Sequence, residues 1–188
     1  RIFHMDVLLS LFVIAALVSS FLAIKQNRVL FTIVSGSLIS FSFLTKSIGI
    51  SALVFVLGFS LLNFLFQKNL KGFLRFSGLL LLAFVVTSFF VFPALFKGPI
   101  YFVGQIFSEA ERIGIRGGHG QTVLGEYTTE AGFSFYPLVI AMKVSPFLLL
   151  GCLLFSLTSL RGRKCRFENL SFFLLLYYLG YFIFMCIP

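Results

Sequence analysis

The chain has 188 residues, of which 59% are hydrophobic and only 11% charged, with a mean hydropathy of +1.06. Soluble domains carry roughly one-quarter charged residues, so this composition excludes a soluble globular protein and points to an integral membrane protein. The net charge of +9 does not imply nucleic acid, because a membrane protein collects basic residues on its cytoplasmic loops.

Apolar runs of about 20 residues match helices crossing a hydrocarbon core of about 30 Å, whereas membrane strands would alternate over about 10 residues. The sequence therefore predicts an all-α integral membrane protein with six transmembrane helices in one membrane domain over 1–188. In chain order the spans are Asp6 to Ile24, Val29 to Leu44, Ile48 to Phe66, Ser77 to Leu95, Tyr136 to Leu160 and Leu170 to Ile187. The loops between them are Lys25 to Arg28, a tight turn at Lys46, Gln67 to Phe76, a long loop over 96–135, and Arg161 to Asn169. The chain opens at Arg1 almost directly on a span and stops on one at Pro188, and it reads as an interior piece of a longer protein.

Alternate loops carry Lys25, Arg28, Lys68, Lys71, Arg75, Arg161, Arg163, Lys164 and Arg166 against the single acid Glu168. The positive-inside rule makes that face cytoplasmic. Asp6, Lys46 and the long loop then share the extracytoplasmic face. Within the long loop, Val103, Ile106, Phe107, Ala110 and Ile113 repeat at helical spacing, which predicts an amphipathic helix on the membrane surface. The glycines Gly114, Gly117, Gly118 and Gly120 end it, and the chain stays polar as far as Phe133.

Few residues here can carry chemistry. Asp6 could activate a hydroxyl nucleophile or hold a cation, or it could be a solvated helix N-cap. His4 could join it as a metal ligand or sit at the interface, and a divalent metal is the one cofactor these residues bring into view. Lys46 could snorkel to the surface or bind a phosphate with its side chain and the adjoining turn amides. His119 stands among glycines that let a backbone approach a ligand, and Glu126 and Glu130 are carboxylates on the same loop. Cys152, Cys165 and Cys186 lack the spacing of a metal site or a redox pair, and no disulfide is inferred. Lys143 lies two turns into the fifth span, three residues before Pro146. A cation there costs several kcal/mol to bury, on the order of the insertion scales, and the proline frees a backbone carbonyl. At that depth the lysine could snorkel outward, or, beside the kink, suit an anionic headgroup such as a lipid phosphate.

The order Gly125, Glu130, Gly132, Phe135, Tyr136, Pro137, Lys143, Ser145, Pro146, within LGEYTTEAGFSFYPLVIAMKVSP, resembles a segment of bacterial and archaeal relatives of the dolichyl-phosphate-mannose protein mannosyltransferases. Asp6 matches an outer acidic site of that family, and Thr45 and Lys46 match its Thr-Lys hairpin. Ser47 stands where a glycine often follows, and Ala131 where a proline is usual. The resemblance implies a GT-C type fold and a glycosyltransferase that moves a sugar, with inversion, from a polyprenyl-phosphate donor to a hydroxyl of a protein, lipid or glycan acceptor on the extracytoplasmic face. It implies phosphate contacts at Lys46 and Lys143, substrate contacts at His119, Glu126 and Tyr136, and an auxiliary role for Asp6. The family's principal base lies in a preceding outer loop that would stand before Arg1. The expected partners are the lipid-linked donor, its acceptor and membrane lipids, with no nucleic acid. A polytopic transporter or lipid flippase is the rival reading, although the internal repeat common in transporters is missing from the sequence.

Overall fold

A computed structural model describes residues 5–115, 121–123, 126–128 and 169–186, together with isolated helical positions at 137, 150, 151, 154 and 157. The chain divides into two compact units, Arg1–Ser108 and Glu109–Pro188.

The first unit holds four apolar helices, α1 (Met5–Gln26), α2 (Val29–Thr45), α3 (Ile50–Phe66) and α4 (Leu70–Val91), followed by the start of α5 (Pro99–Ile115). Among the described residues, three helical stretches are long and apolar enough to cross a membrane: Asp6–Gln26, Ser47–Phe66 and Leu70–Val91. The second of these counts the 3-10 turn Ser47–Gly49 that runs into α3. With 17 residues, α2 spans about 26 Å at 1.5 Å per residue, short of a full hydrocarbon core.

Helix α2 is the middle of the unit, packed between α1 and α4. Its pairings with α1 run in opposite directions along the two chains: Ser20 with Ser35, Phe12 with Phe41, and Asp6 with Lys46. Those with α4 run in the same direction, Gly36 against Leu80 and Ala83, then Ser37 with Thr87 and Ser40 with Ser88. Thus α2 is antiparallel to α1 and parallel to α4.

Small residues make this packing close. A Cβ added at Gly36 would lie 2.5 Å from the Leu80 carbonyl oxygen and 2.8 Å from the Ala83 Cβ. Around it, Ser20, Ser35, Ser40, Ser42 and Ser88 are buried, and their hydroxyls are bonded. Ser40 and Ser88 meet at 2.8 Å, Ser20 donates to the Ala16 carbonyl at 2.7 Å, and Ser20 also bonds Ser35 across the α1–α2 seam. Without water, each buried hydroxyl needs such a partner. Interhelical bonds of this kind are worth only about 0.6 kcal/mol on average in membranes, so their main effect is to allow backbone proximity without an unsatisfied group.

The expected first three spans coincide with α1, α2 and α3 within about two residues, the usual uncertainty of helix ends. The fourth does not. The sequence places it at Ser77 to Leu95, whereas α4 runs from Leu70 to Val91. Asn69 caps it, its side chain accepting from the Gly72 amide at 2.9 Å, so Lys71 and Arg75 are helical residues and not loop. At the other end Phe92 precedes Pro93, and a residue before proline is driven out of the helical region; a 3-10 turn, Pro93–Lys97, leads on to α5. The amphipathic helix expected around Val103 to Ile113 is present as α5, with Phe102, Val103 and Ile106 forming its less exposed stripe.

In the second unit, a two-stranded antiparallel pair joins β1 (Gln121–Val123) to β2 (Glu126–Thr128), with Val123 opposite Glu126. The pair lies inside the long loop, past the amphipathic helix, and leaves the all-α class in place: Thr122, Val123, Tyr127 and Thr128 are good strand formers, and two residues separate the strands. The last described helix, α6 (Leu170–Cys186), matches the sixth span. Asn169 caps it through the Ser171 amide at 3.0 Å, and Phe173, Leu175 and Tyr177 are buried. Of the fifth span, Tyr136 to Leu160, only isolated helical positions are described.

Gly36→Leu should lower the thermal unfolding midpoint of the detergent-solubilised protein, by an overpacking cost of about 1–3 kcal/mol. Gly58→Ala, with no atom within 4 Å of the new Cβ, should leave it unchanged or raise it slightly.

Candidate functional site

The site begins at the α2–α3 turn. Helix α2 stops because Lys46 adopts an extended backbone, φ −152° and ψ 137°, while its amide still donates to the Ser42 carbonyl at 3.1 Å. The Lys46 carbonyl then accepts from the Gly49 amide at 2.9 Å, closing the 3-10 turn. Gly49 is the residue that makes so tight a reversal feasible: a Cβ there would collide with the backbone carbonyl of Ser42. Ser42 ties the turn from inside, its hydroxyl donating to the Ile39 carbonyl at 2.7 Å and the Gly49 carbonyl at 3.3 Å. Thr45 folds back onto its own helix, donating to the Phe41 carbonyl at 2.7 Å.

On this turn the Lys46 ammonium forms an ion pair with the Asp6 carboxylate. Asp6 lies in the first turn of α1 and Lys46 at the C-terminal cap of α2. The antiparallel arrangement therefore brings a carboxylate at a positive helix end beside an ammonium at a negative one, each favoured by its own helix dipole. The two side chains keep 63% and 51% of their surface exposed. Exposed pairs of this kind contribute about 0.2–1 kcal/mol, so a competing anion or hydroxyl can enter at little cost.

Ser47 and Ile48, the first residues of the helical stretch that becomes α3, have amides that precede any intrahelical acceptor. Lys46 adjoins these amides in sequence, and Asp6 is its ion-pair partner. Helix α5 approaches the same end of the unit. Phe107 lies 6.5 Å, ring to ring, from Phe43, which is three residues before Lys46 and itself 5.9 Å from Phe84. Phe92 and Phe102 meet edge to face at 6.0 Å where the chain turns from α4 into α5.

Of the residues singled out in the sequence, Asp6 and Lys46 are thus brought into contact, and Asp6 sits within the first helical turn and not in the capping position. The backbone of Glu126 belongs to β2. Its side chain lies outside the described residues, as do His4, His119, Tyr136 and Lys143. Among the described residues no cluster of three metal-ligating side chains occurs. Gly49 and Phe107 were not evident as site residues; the short interval between Lys46 and Gly49 and the apolar stripe of α5 are the signals that carry them.

The chain matches no family model, no curated protein and no solved structure.

A double-mutant cycle of Asp6→Asn and Lys46→Gln should give a coupling free energy of about 1 kcal/mol or less. A value of several kcal/mol in denaturant titrations would make the pair a structural clasp and not an accessible site.

Proposed function

We propose that the chain belongs to a membrane glycosyltransferase that moves a sugar from a polyprenyl-phosphate donor to an acceptor hydroxyl on the extracytoplasmic side, with inversion. The observation that carries this reading is the Asp6–Lys46 pair, an exposed carboxylate and ammonium beside the 3-10 turn Ser47–Gly49 at one end of an apolar helical unit. The ordered motif from Gly125 to Pro146 adds a second phosphate-binding lysine, Lys143, in the same order as in the family it resembles.

In such a transfer the acceptor oxygen forms a bond to the anomeric carbon as the bond from that carbon to the donor phosphate oxygen breaks. The electron pair leaves with the polyprenyl phosphate, and the acceptor proton goes to a carboxylate. The leaving group is a stable anion that needs cations and amide donors, not a general acid. Lys46 supplies the first, exchanging Asp6 for phosphate, while Ser47 and Ile48 supply the second. Asp6, released from the lysine, orients the acceptor or a divalent metal as an auxiliary to the principal base. Helix α5, held by Phe107 on Phe43, borders this site on the side where the acceptor would enter. The side bearing Lys25, Arg28, Lys68, Lys71 and Arg75 is then cytoplasmic.

The test is sugar transfer from a synthetic polyprenyl-phosphate donor in membranes carrying the protein. Lys46→Gln should lower kcat by roughly 10²–10³, the usual cost of removing a group that stabilises developing charge. Asp6→Asn should cost about tenfold, and Lys97→Gln, a cation outside the pair, should cost nothing. Unchanged transfer in both site variants would remove the assignment, and movement of the intact lipid-linked sugar across the bilayer without transfer would establish a flippase instead.

A further inference from the structure

The opposite end of the first unit carries a group of cations that the proposed transfer does not use. Lys25 and Arg28 flank the α1–α2 turn, and Lys68, Lys71 and Arg75 lie on the α3–α4 turn and the first two turns of α4. The antiparallel α1–α2 and parallel α2–α4 packing puts both turns at one end. All five residues are exposed, and none forms an ion pair among the described residues.

Their placement is unfavourable on three local counts. Lys71 and Arg75, four residues apart in α4, put like charge on one helical face, and Lys68 adds a third cation just before that helix. Lys71 sits in the first turn of α4, where the helix dipole repels cations, and that turn has no acidic residue. Lys68 itself adopts a left-handed backbone, φ 54°, at a helix end where the Asn69 amide returns to the Phe64 carbonyl at 2.9 Å. Glycine fills that position without strain. A lysine there gives up conformational energy for a charge that no ion pair uses among the described residues.

Apolar side chains accompany the cations. Leu65, Phe66, Leu70 and Leu74, on the adjoining ends of α3 and α4, are exposed, and Lys25 lies 5.9 Å from the Phe21 ring centroid. A soluble anion would meet the charges but leave the apolar side chains in water. A headgroup layer meets both, phosphates at the cations and acyl chains at the leucines and phenylalanine. We propose that this end of the unit is a binding surface for anionic phospholipid headgroups, centred on Lys68, Lys71 and Arg75. The inference rests on the helices spanning a membrane, and it is independent of any transferase activity.

The experiment measures the association of spin-labelled phosphatidylglycerol and spin-labelled phosphatidylcholine with the protein reconstituted in phosphatidylcholine bilayers. Phosphatidylglycerol should be preferred about tenfold or more, since each near-surface cation contributes roughly a fivefold factor. The preference should shrink as salt is raised. The triple variant Lys68→Gln, Lys71→Gln, Arg75→Gln should bring the ratio close to unity, while Lys97→Gln, at the other end, keeps it. Lys68→Gly separates charge from folding: it should raise thermal stability and still weaken the preference several-fold. Equal association of the two lipids with the native protein, or an undiminished preference in the triple variant, would overturn the surface. Release of the protein from the bilayer by alkaline carbonate would instead overturn the membrane reading, a failure visible before any lipid is compared.

Discussion

Close backbone approach along α2 is the constraint on which the rest of the first unit depends. Gly36 lets α4 reach van der Waals contact with α2, and Ser20, Ser35, Ser40 and Ser88 fill the seams with hydroxyls that bond across or back to the backbone. In an apolar medium the hydrophobic effect does not hold helices together, so shape and satisfied polar groups must do so. This close packing fixes the register between α1 and α2, and the register brings Asp6 to Lys46.

The two ends of the unit then differ in electrostatic character. At one, a carboxylate and an ammonium face each other across opposing helix dipoles, and an aromatic contact from Phe43 to Phe107 holds α5 nearby. At the other, five exposed cations form no ion pair among the described residues, and Lys71 lies in the first helical turn, where the dipole repels it. The first arrangement is self-neutralising and open to exchange, as a reaction site must be. The second is the surface proposed above to meet anionic headgroups. Together they give the unit a polarity along its axis that agrees with the charge bias of the loops.

The proposed transfer would need little conformational work at the paired end. The turn at Lys46 is pinned by Gly49 and Ser42, so its backbone is fixed before any ligand arrives. Only the lysine and aspartate side chains must move, and their exposure keeps the cost low. Preorganised amides with an exchangeable ammonium suit a leaving phosphate better than a permanently buried cation would.

The apolar runs alone determine that helices occur at α1, α2, α3 and α6, because an uninterrupted apolar stretch has no other way to satisfy its backbone in lipid. The stripe of Val103, Ile106 and Phe107 likewise determines α5. The start of α4 was hidden, since Lys71 and Arg75 look like loop until Asn69 is seen to cap a helix whose charged side chains project from its first turns. The strands at Gln121–Val123 and Glu126–Thr128 were hidden too, their pattern being too short to register as alternation. Loop order placed Asp6 and Lys46 on one face, but 40 residues of separation leave their distance open. That distance depends on how closely α1 and α2 pack and in what register, which is a property of the Gly and Ser seams acting together. The charges are written in the sequence; that Asp6 and Lys46 are paired, only the tertiary structure decided.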